Sequence, residues 1–235
     1  MKVCILAGGR GTRISEETIS KPKPMVEIGG TPILRHIMNV YAAYGHNEFV
    51  IALGYKGEMI KEYFSSHCPA RWKVDLLDTG LYTSTGGRVK RLSEFVGKES
   101  FMLTYGDGIG NVNISALLAV HEGRGSLVTL TAVHPPARFG RVKLFRERVL
   151  QFREKEQTTE DWINGGFMVV DPGVFRHIEN DETSWEGNTL ENLAIDGQVA
   201  AYRHEGFWQC VDTVRDLQML NEIYDERGAI WLPSA

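Results

Sequence analysis

At 235 residues with a formal net charge of −4, the chain has the size of one α/β domain, with or without a small appendage, and can bury a substantial core. The acidic balance excludes a general nucleic-acid binder, which would carry a basic face, and no apolar run approaches the length of a membrane span. Cys4, Cys68 and Cys210 show no C-x-x-C spacing, so a cytoplasmic location is expected, with neither a disulfide framework nor a cleaved leader.

Val3 to Leu6 reads as a short buried strand, an apolar run stopped at once by Gly8 and Gly9. Thr31-Pro32 is predicted to open a helix, threonine as N-cap and proline at N1, with Gly45 as its stop. Its apolar stripe is Ile33, Leu34, Ile37, Met38, Tyr41 and Tyr44. A second buried strand is expected over Phe49–Gly54, a helix around Glu58–Phe64 and a further strand over Lys73–Asp78. Gly87–Val96 has a helical pattern, and Phe101–Gly108 reads as a strand ending in a glycine-flanked carboxylate. A helix over Asn113–His121 and a strand over Leu127–Val133 follow. Strands alternating with helices predict an α/β fold with a mainly parallel sheet covered on both faces.

Beyond about residue 136 the pattern changes. "GRVKLF", "RVLQFRE" and "GGFMVVD" suggest shorter, partly antiparallel strands around 140–171, and an amphipathic helix over Val214–Glu226 closes the chain. The expectation is one domain over 1–235, with a nucleotide-binding half to about 135 and a smaller acceptor-binding half after it.

The chemistry starts in "CILAGGRGTRISEETISKPKPM". Glycines allow a loop to aim several N–H groups at one anion, and Arg10, Arg13, Lys21 and Lys23 add four cations. A P-loop is excluded because, counted from Gly8, Arg13-Ile14 stands where Gly-Lys is needed. A dinucleotide fingerprint starting at Gly9 and Gly11 would need glycine or alanine where Ile14 stands. The loop is therefore read as a separate polyphosphate cradle. Ligands of open α/β sheets sit outside the carboxyl ends of strands, and both this loop and Asp107 in "YGDG" lie at such ends. Asp107 could hold Mg²⁺ against phosphate oxygens; "TSTGGRVK" offers a second glycine pair with room for a base or a phosphate. Lys155 in "REKEQ" and Asp212 in "WQCVDT" are each weak alone, Asp212 being equally a helix-terminus carboxylate.

In order, L-A-G-G-x-G-T-R, P-K-P, the glycine pair, G-D, E-K, N-G-G and W-x-x-x-D-T resemble the sugar-1-phosphate nucleotidylyltransferases over essentially the whole chain. Lys21–Met38 with "TGGR", "TYGDG" and "INGGF" is most similar to the glucose-1-phosphate cytidylyltransferases. The resemblance implies a Rossmann-like core and Mg²⁺-dependent transfer of a cytidylyl group from CTP to a phosphorylated acceptor, glucose 1-phosphate, releasing pyrophosphate. It implies that Leu6, Ala7, Gly8, Gly9, Arg10, Gly11, Thr12 and Arg13 wrap the nucleotide, Arg13 holding the leaving pyrophosphate and Lys23 standing at the α-phosphate. By the same carry-over, Thr85, Gly86, Gly87, Arg88 and Gly106 match the nucleotide-binding positions, and Asp107 and Asp212 the metal ligands. Glu154, Lys155, Asn164 and Gly165 match the acceptor side, and association into a homo-oligomer is compatible with the family. Two departures fall where acceptor recognition or subunit contacts would be shaped: Phe64 and Asp78 stand only fourteen positions apart where those enzymes carry an insertion, and Glu156 replaces the proline after Glu-Lys. The same chemistry on another acceptor or with another triphosphate is the alternative. A non-catalytic nucleotide sensor is disfavoured, because it has little need of both carboxylates.

Overall fold

The computed structural model describes residues 1–11, 20–135, 140–154 and 161–233. Strand β1 (Val3–Leu6) is buried on both sides because its residues alternate between two cores: Val3, Ile5 and Ala7 face one, Cys4 and Leu6 the other. A tight hairpin, β2 (Glu27–Ile28) and β3 (Thr31–Pro32), turns at Gly29 and Gly30, both at positive φ (57° and 71°). Helix α1 (Ile33–Ala43) therefore starts one residue later than predicted. Thr31 belongs to the hairpin, Pro32 is the N-cap residue, and the Ile33 N–H is taken by the Val26 carbonyl at 2.9 Å, so no side-chain cap forms.

β4 (Glu48–Leu53), α2 (Gly57–His67) and β5 (Lys73–Asp78) follow as their patterns predict. The Gly87–Val96 helix is two pieces, α3 (Thr85–Arg91) and α4 (Ser93–Val96), joined at the fully buried Leu92. β6 (Phe101–Tyr105) stops earlier than expected, since Gly106 N–H closes a rung on Leu6 O and the chain then turns away into β7 (Gly108–Gly110). α5 (Ile114–Arg124) is capped by the Asn113 side chain on Ala116 N–H at 3.0 Å. β8 (Val128–Val133), a separate hairpin β9–β10 (Arg141–Phe145 and Arg148–Arg153), β11 (Ile163–Asn164) and β12 (Met168–Val170) come next. The chain then runs through α6 (Glu191–Ile195), β13 (Val199–His204), β14 (Trp208–Cys210) and α7 (Val214–Arg227).

The main sheet has the order β11-β8-β12-β6-β1-β4-β5, with β13 also on β8. It is mainly parallel, as expected: β5, β4, β1 and β6 run together, and β13 is parallel to β8. The second half of the chain supplies the expected short, partly antiparallel strands. β11, β12 and β13 do not build a sheet of their own but extend the main one, with β12 running antiparallel between β6 and β8. The topology reverses at β1, whose neighbours are β4 on one side and β6 on the other, and the register Leu6↔Tyr105 ends β1 and β6 at the same level. The crevice outside those two ends is where an open α/β sheet binds ligands.

A candidate nucleotide and metal site at the switch point

A cleft of about 980 Å³ opens at this point, lined on one wall by Leu6 to Gly11 and on its floor by Gly106 and Asp107. Its far side carries Thr85, Asn164, Gly165, Glu186 and Trp208. The loop after β1 is drawn tight by Ala7 N–H on Ala52 O and Tyr55 N–H on Gly8 O. Gly8 needs to be glycine, because a Cβ there would lie 2.2 Å from the Arg88 guanidinium. At the rim, Arg10 stacks on Tyr82, 5.2 Å from the ring centroid. Thr12, Arg13 and Lys155 lie outside the described residues.

Lys23 enters from a 3₁₀ turn (Lys23–Met25) between two prolines, with the Pro24 ring packed where a Cβ on Gly106 would lie 2.9 Å away. Its Nζ donates to Asp107 Oδ2 at 2.7 Å and to Asp212 Oδ1 at 2.8 Å. The antiparallel pairing of β7 with β14 brings the two aspartates together: Gly108 faces Cys210, and Val211 N–H bonds Asp107 O at 3.0 Å. Asp212 is not the helix-terminus carboxylate. That role belongs to Asp216, which forms a capping box with Thr213 and also receives the Asp212 N–H at 3.0 Å, fixing the aspartate's backbone. Lys23 and Asp212 expose only 8% and 9% of their side chains, against 30% for Asp107. Burial alone would lower the Lys23 pKa, but Asp107 and Asp212 outweigh it and hold the ammonium above its ordinary value. Two hard carboxylates converging on one cation beside an open cleft are a donor set that fits Mg²⁺, which takes one or two carboxylates and completes its shell with phosphate oxygens and water. Among the described residues there is no cluster of three or more metal-ligating side chains.

The remaining expected residues divide. Arg88 lines the cleft from beneath the loop, 4% exposed, donating to Leu53 O at 3.0 Å and Thr79 Oγ1 at 2.5 Å. Gly86 and Gly87 do not line the cleft. They pack against residues 181–183, where a Cβ would lie 2.6 Å from Thr183 O and from Asp181 Cα respectively. Glu154 ends the exposed hairpin rather than lining the cleft. Thr85 does line it, and its hydroxyl donates to Glu186 Oε2 at 2.7 Å.

Sequence reasoning missed Glu186 and Tyr105. Tyr105 donates to Glu186 Oε1 at 2.7 Å and accepts from Asn164 Nδ2 at 3.3 Å, while Trp208 Nε1–H holds Gly165 O at 2.9 Å. Burial and the Glu186 carboxylate push the Tyr105 hydroxyl well above the ordinary tyrosine range, so it stays a donor. The network ties the Thr85 segment to the Asn164–Gly165 segment. Glu186 sits in "WEGNTLENLA", a stretch whose pattern carries no chemical signal.

The chain matches the nucleotidyl transferase family over residues 2–227. It is 45% identical over 253 residues to the glucose-1-phosphate cytidylyltransferase of Salmonella typhimurium, covering 98% of each chain. It is 29% identical over 224 residues to the mannose-1-phosphate guanylyltransferase catalytic subunit beta of Dictyostelium discoideum, covering 92% of this chain and 62% of that one. Among solved structures it is similar in fold to HddC from Yersinia pseudotuberculosis, with a TM-score of 0.77, 24% identity, and coverage of 95% of this chain and 99% of that one. It is also similar in fold to a UDP-glucose pyrophosphorylase complexed with UDP-glucose, with a TM-score of 0.72, 14% identity, and coverage of 96% and 98%.

Proposed function

The chain belongs to the nucleotidyl transferase family, and from that premise we propose that it transfers the cytidylyl group of CTP to glucose 1-phosphate with Mg²⁺, releasing pyrophosphate. The chemistry rests on one observation above the others: Asp107 and Asp212 meet on a single cation at the carboxyl ends of β1 and β6, beside a glycine loop. The choice of CTP and glucose 1-phosphate rests on the name of the 45% identical relative.

In this reading an acceptor phosphate oxygen attacks the α-phosphorus and pyrophosphate leaves. The attacking phosphate is already ionised near pH 7, its second pKa being about 6, so no general base is needed. This suits a site without histidine: His36, His121, His134 and His204 are all buried away from it. Both reactants are anions, and like unit charges about 4 Å apart repel by roughly 4 kcal/mol at an effective dielectric of 20. Lys23 offsets part of that repulsion from the floor of the cleft, and Arg13 is assigned the leaving pyrophosphate. Asp107 and Asp212 would hold Mg²⁺, which when bound neutralises and aligns phosphate oxygens. Asn164 and Gly165, braced by Tyr105 and Trp208, would seat the sugar, with Lys155 assigned to its phosphate. Catalysis is then positioning and charge stabilisation with no covalent intermediate.

One departure favours a different phosphorylated acceptor, Glu156 in place of the proline that follows Glu-Lys in the cytidylyltransferases; none of residues 64–78, the other departure, lines the cleft. A matrix of four nucleoside triphosphates against phosphorylated acceptors, scored by pyrophosphate release, tests both readings. CTP with glucose 1-phosphate should give the highest kcat/KM, and chelation of Mg²⁺ should abolish it. Equal values for CTP and UTP would remove the cytidylyl assignment, and tight CTP binding without turnover on any acceptor would leave a sensor.

Association between copies and a cytoplasmic location complete the proposal. Cys4, Cys68 and Cys210 form no disulfide, which suits a reducing compartment, and among the described residues no helix is long and apolar enough to cross a membrane. The β9–β10 hairpin turns Val142, Leu144, Val149 and Phe152 to one face, each 52–63% exposed. A two-stranded ribbon is marginal alone in water, and the same face of a second copy would cover it.

A further inference from the structure

Lys23 stands where the metal reading places an ion. Its ammonium nitrogen is within 2.8 Å of one oxygen from each carboxylate, and Lys23 and Asp212 are almost wholly enclosed. An ammonium is a compact point charge, so it occupies the volume a coordinated cation would take between the same two oxygens. Nζ and a bound ion cannot both be there. The backbone is held against withdrawing, because Lys23 stands between Pro22 and Pro24 and Pro24 packs against Gly106. The stem of four methylenes has rotatable bonds, and Lys23 lines the same cleft as Gly8, Gly9 and Gly11.

We propose that Lys23 is an internal stand-in for the metal: without nucleotide its ammonium neutralises Asp107 and Asp212 and excludes a divalent ion, and arrival of nucleotide phosphates draws Nζ away as the ion takes its place. This rests on the reading of Asp107 and Asp212 as metal ligands. Its consequence is ordered use of the site. A bare divalent ion competes with a covalently tethered cation at high local concentration, whereas an ion arriving with a triphosphate brings the anions that Lys23 moves to.

The test uses Mn²⁺ as probe and the full-length protein without nucleotide, the free ion being counted by electron paramagnetic resonance. Wild type should bind Mn²⁺ weakly. Lys23→Met, which keeps the stem and removes the charge, should bind it at least about tenfold more tightly, and Lys23→Met with Asp212→Asn should lose the gain. Equal or weaker Mn²⁺ binding by Lys23→Met than by wild type overturns the stand-in role. Tighter binding that survives Asp212→Asn also overturns it, and at the same time removes Asp212 from the metal reading. Where Lys23→Met does not fold, Lys23→Gln is measured with the same expectations, its fold checked by circular dichroism. Turnover is not the readout, so an inactive variant with tightened Mn²⁺ binding supports the proposal.

Discussion

Replacing Arg88 separates a scaffold role from a ligand contact. Its guanidinium is 4% exposed, bonded to Leu53 O and Thr79 Oγ1, and lies under Gly8 and Gly54. Hydrogen bonds from a charged donor are worth roughly 1.5–3 kcal/mol each, and truncation to alanine adds a cavity. Two effects reduce the loss. Burial holds the Arg88 pKa below its ordinary value, so removing the charge relieves a desolvation cost. Leu53 O also keeps the Thr79 N–H at 3.0 Å and the Thr79 hydroxyl at 2.5 Å, so no carbonyl is orphaned. Arg88→Ala should then destabilise by about 3 kcal/mol, which for a domain of this length lowers Tm by roughly 6–12 °C. Equilibrium denaturation and calorimetry give the stability, and the KM for CTP is measured well below the new Tm. Gly8→Ala should couple to it, because the added Cβ meets the guanidinium at 2.2 Å in wild type and is spared that clash in the Arg88→Ala background. Stability within about 0.5 kcal/mol of wild type, together with a large rise in the KM for CTP, would refute the loop-floor role and make Arg88 a nucleotide contact.

Asp212→Asn and Asp107→Asn should each lower kcat at least about tenfold, equivalent to roughly 1.4 kcal/mol of transition-state stabilisation; unchanged turnover in Mg²⁺ would remove the carboxylate from the reaction. His36 accepts the Trp231 Nε1–H at Nδ1 (3.2 Å) and bonds Ile28 O through Nε2 (3.0 Å), a neutral tautomer. Burial lowers its pKa, as it does for His121 and His204. The unfolded chain therefore takes up protons first: stability is complete above the unfolded value of about 6.5 and falls as pH drops through the lower folded values. Tm should decline on acidification and Trp231 fluorescence should change with it, and His36→Gln should lessen both; a flat Tm from about pH 7.5 to pH 5 would contradict this. Val142→Asp with Leu144→Asp should reduce the sedimentation coefficient to that of a monomer, and a wild type already monomeric at assay concentrations would count against association through the hairpin.

Some of this molecule is legible along the chain because the signals are local. A run such as Val3–Leu6 bounded by glycines, the Lys73–Asp78 strand and the closing helix, which ends at Arg227 one residue past its predicted limit, need only nearest neighbours to be recognised. The crevice was legible too, since a loop and a G-D turn that both follow buried strands have to emerge at the same end of a parallel sheet. Direction and partnership were not. "FMVV" has the same apolar run whichever way it points, and only the free slot between β6 and β8 decided that β12 lies there antiparallel. The second glycine pair permits close approach without stating by what, and the fold packs residues 181–183 against it. Asp212 and Asp216 both stand near a helix start, and the β7–β14 register assigned one to the cleft and the other to the cap. The bond from Lys23 to both aspartates joins three remote segments. A residue's type fixes the charge it can offer, but which opposite charge it meets depends on chain paths that only the assembled core determines.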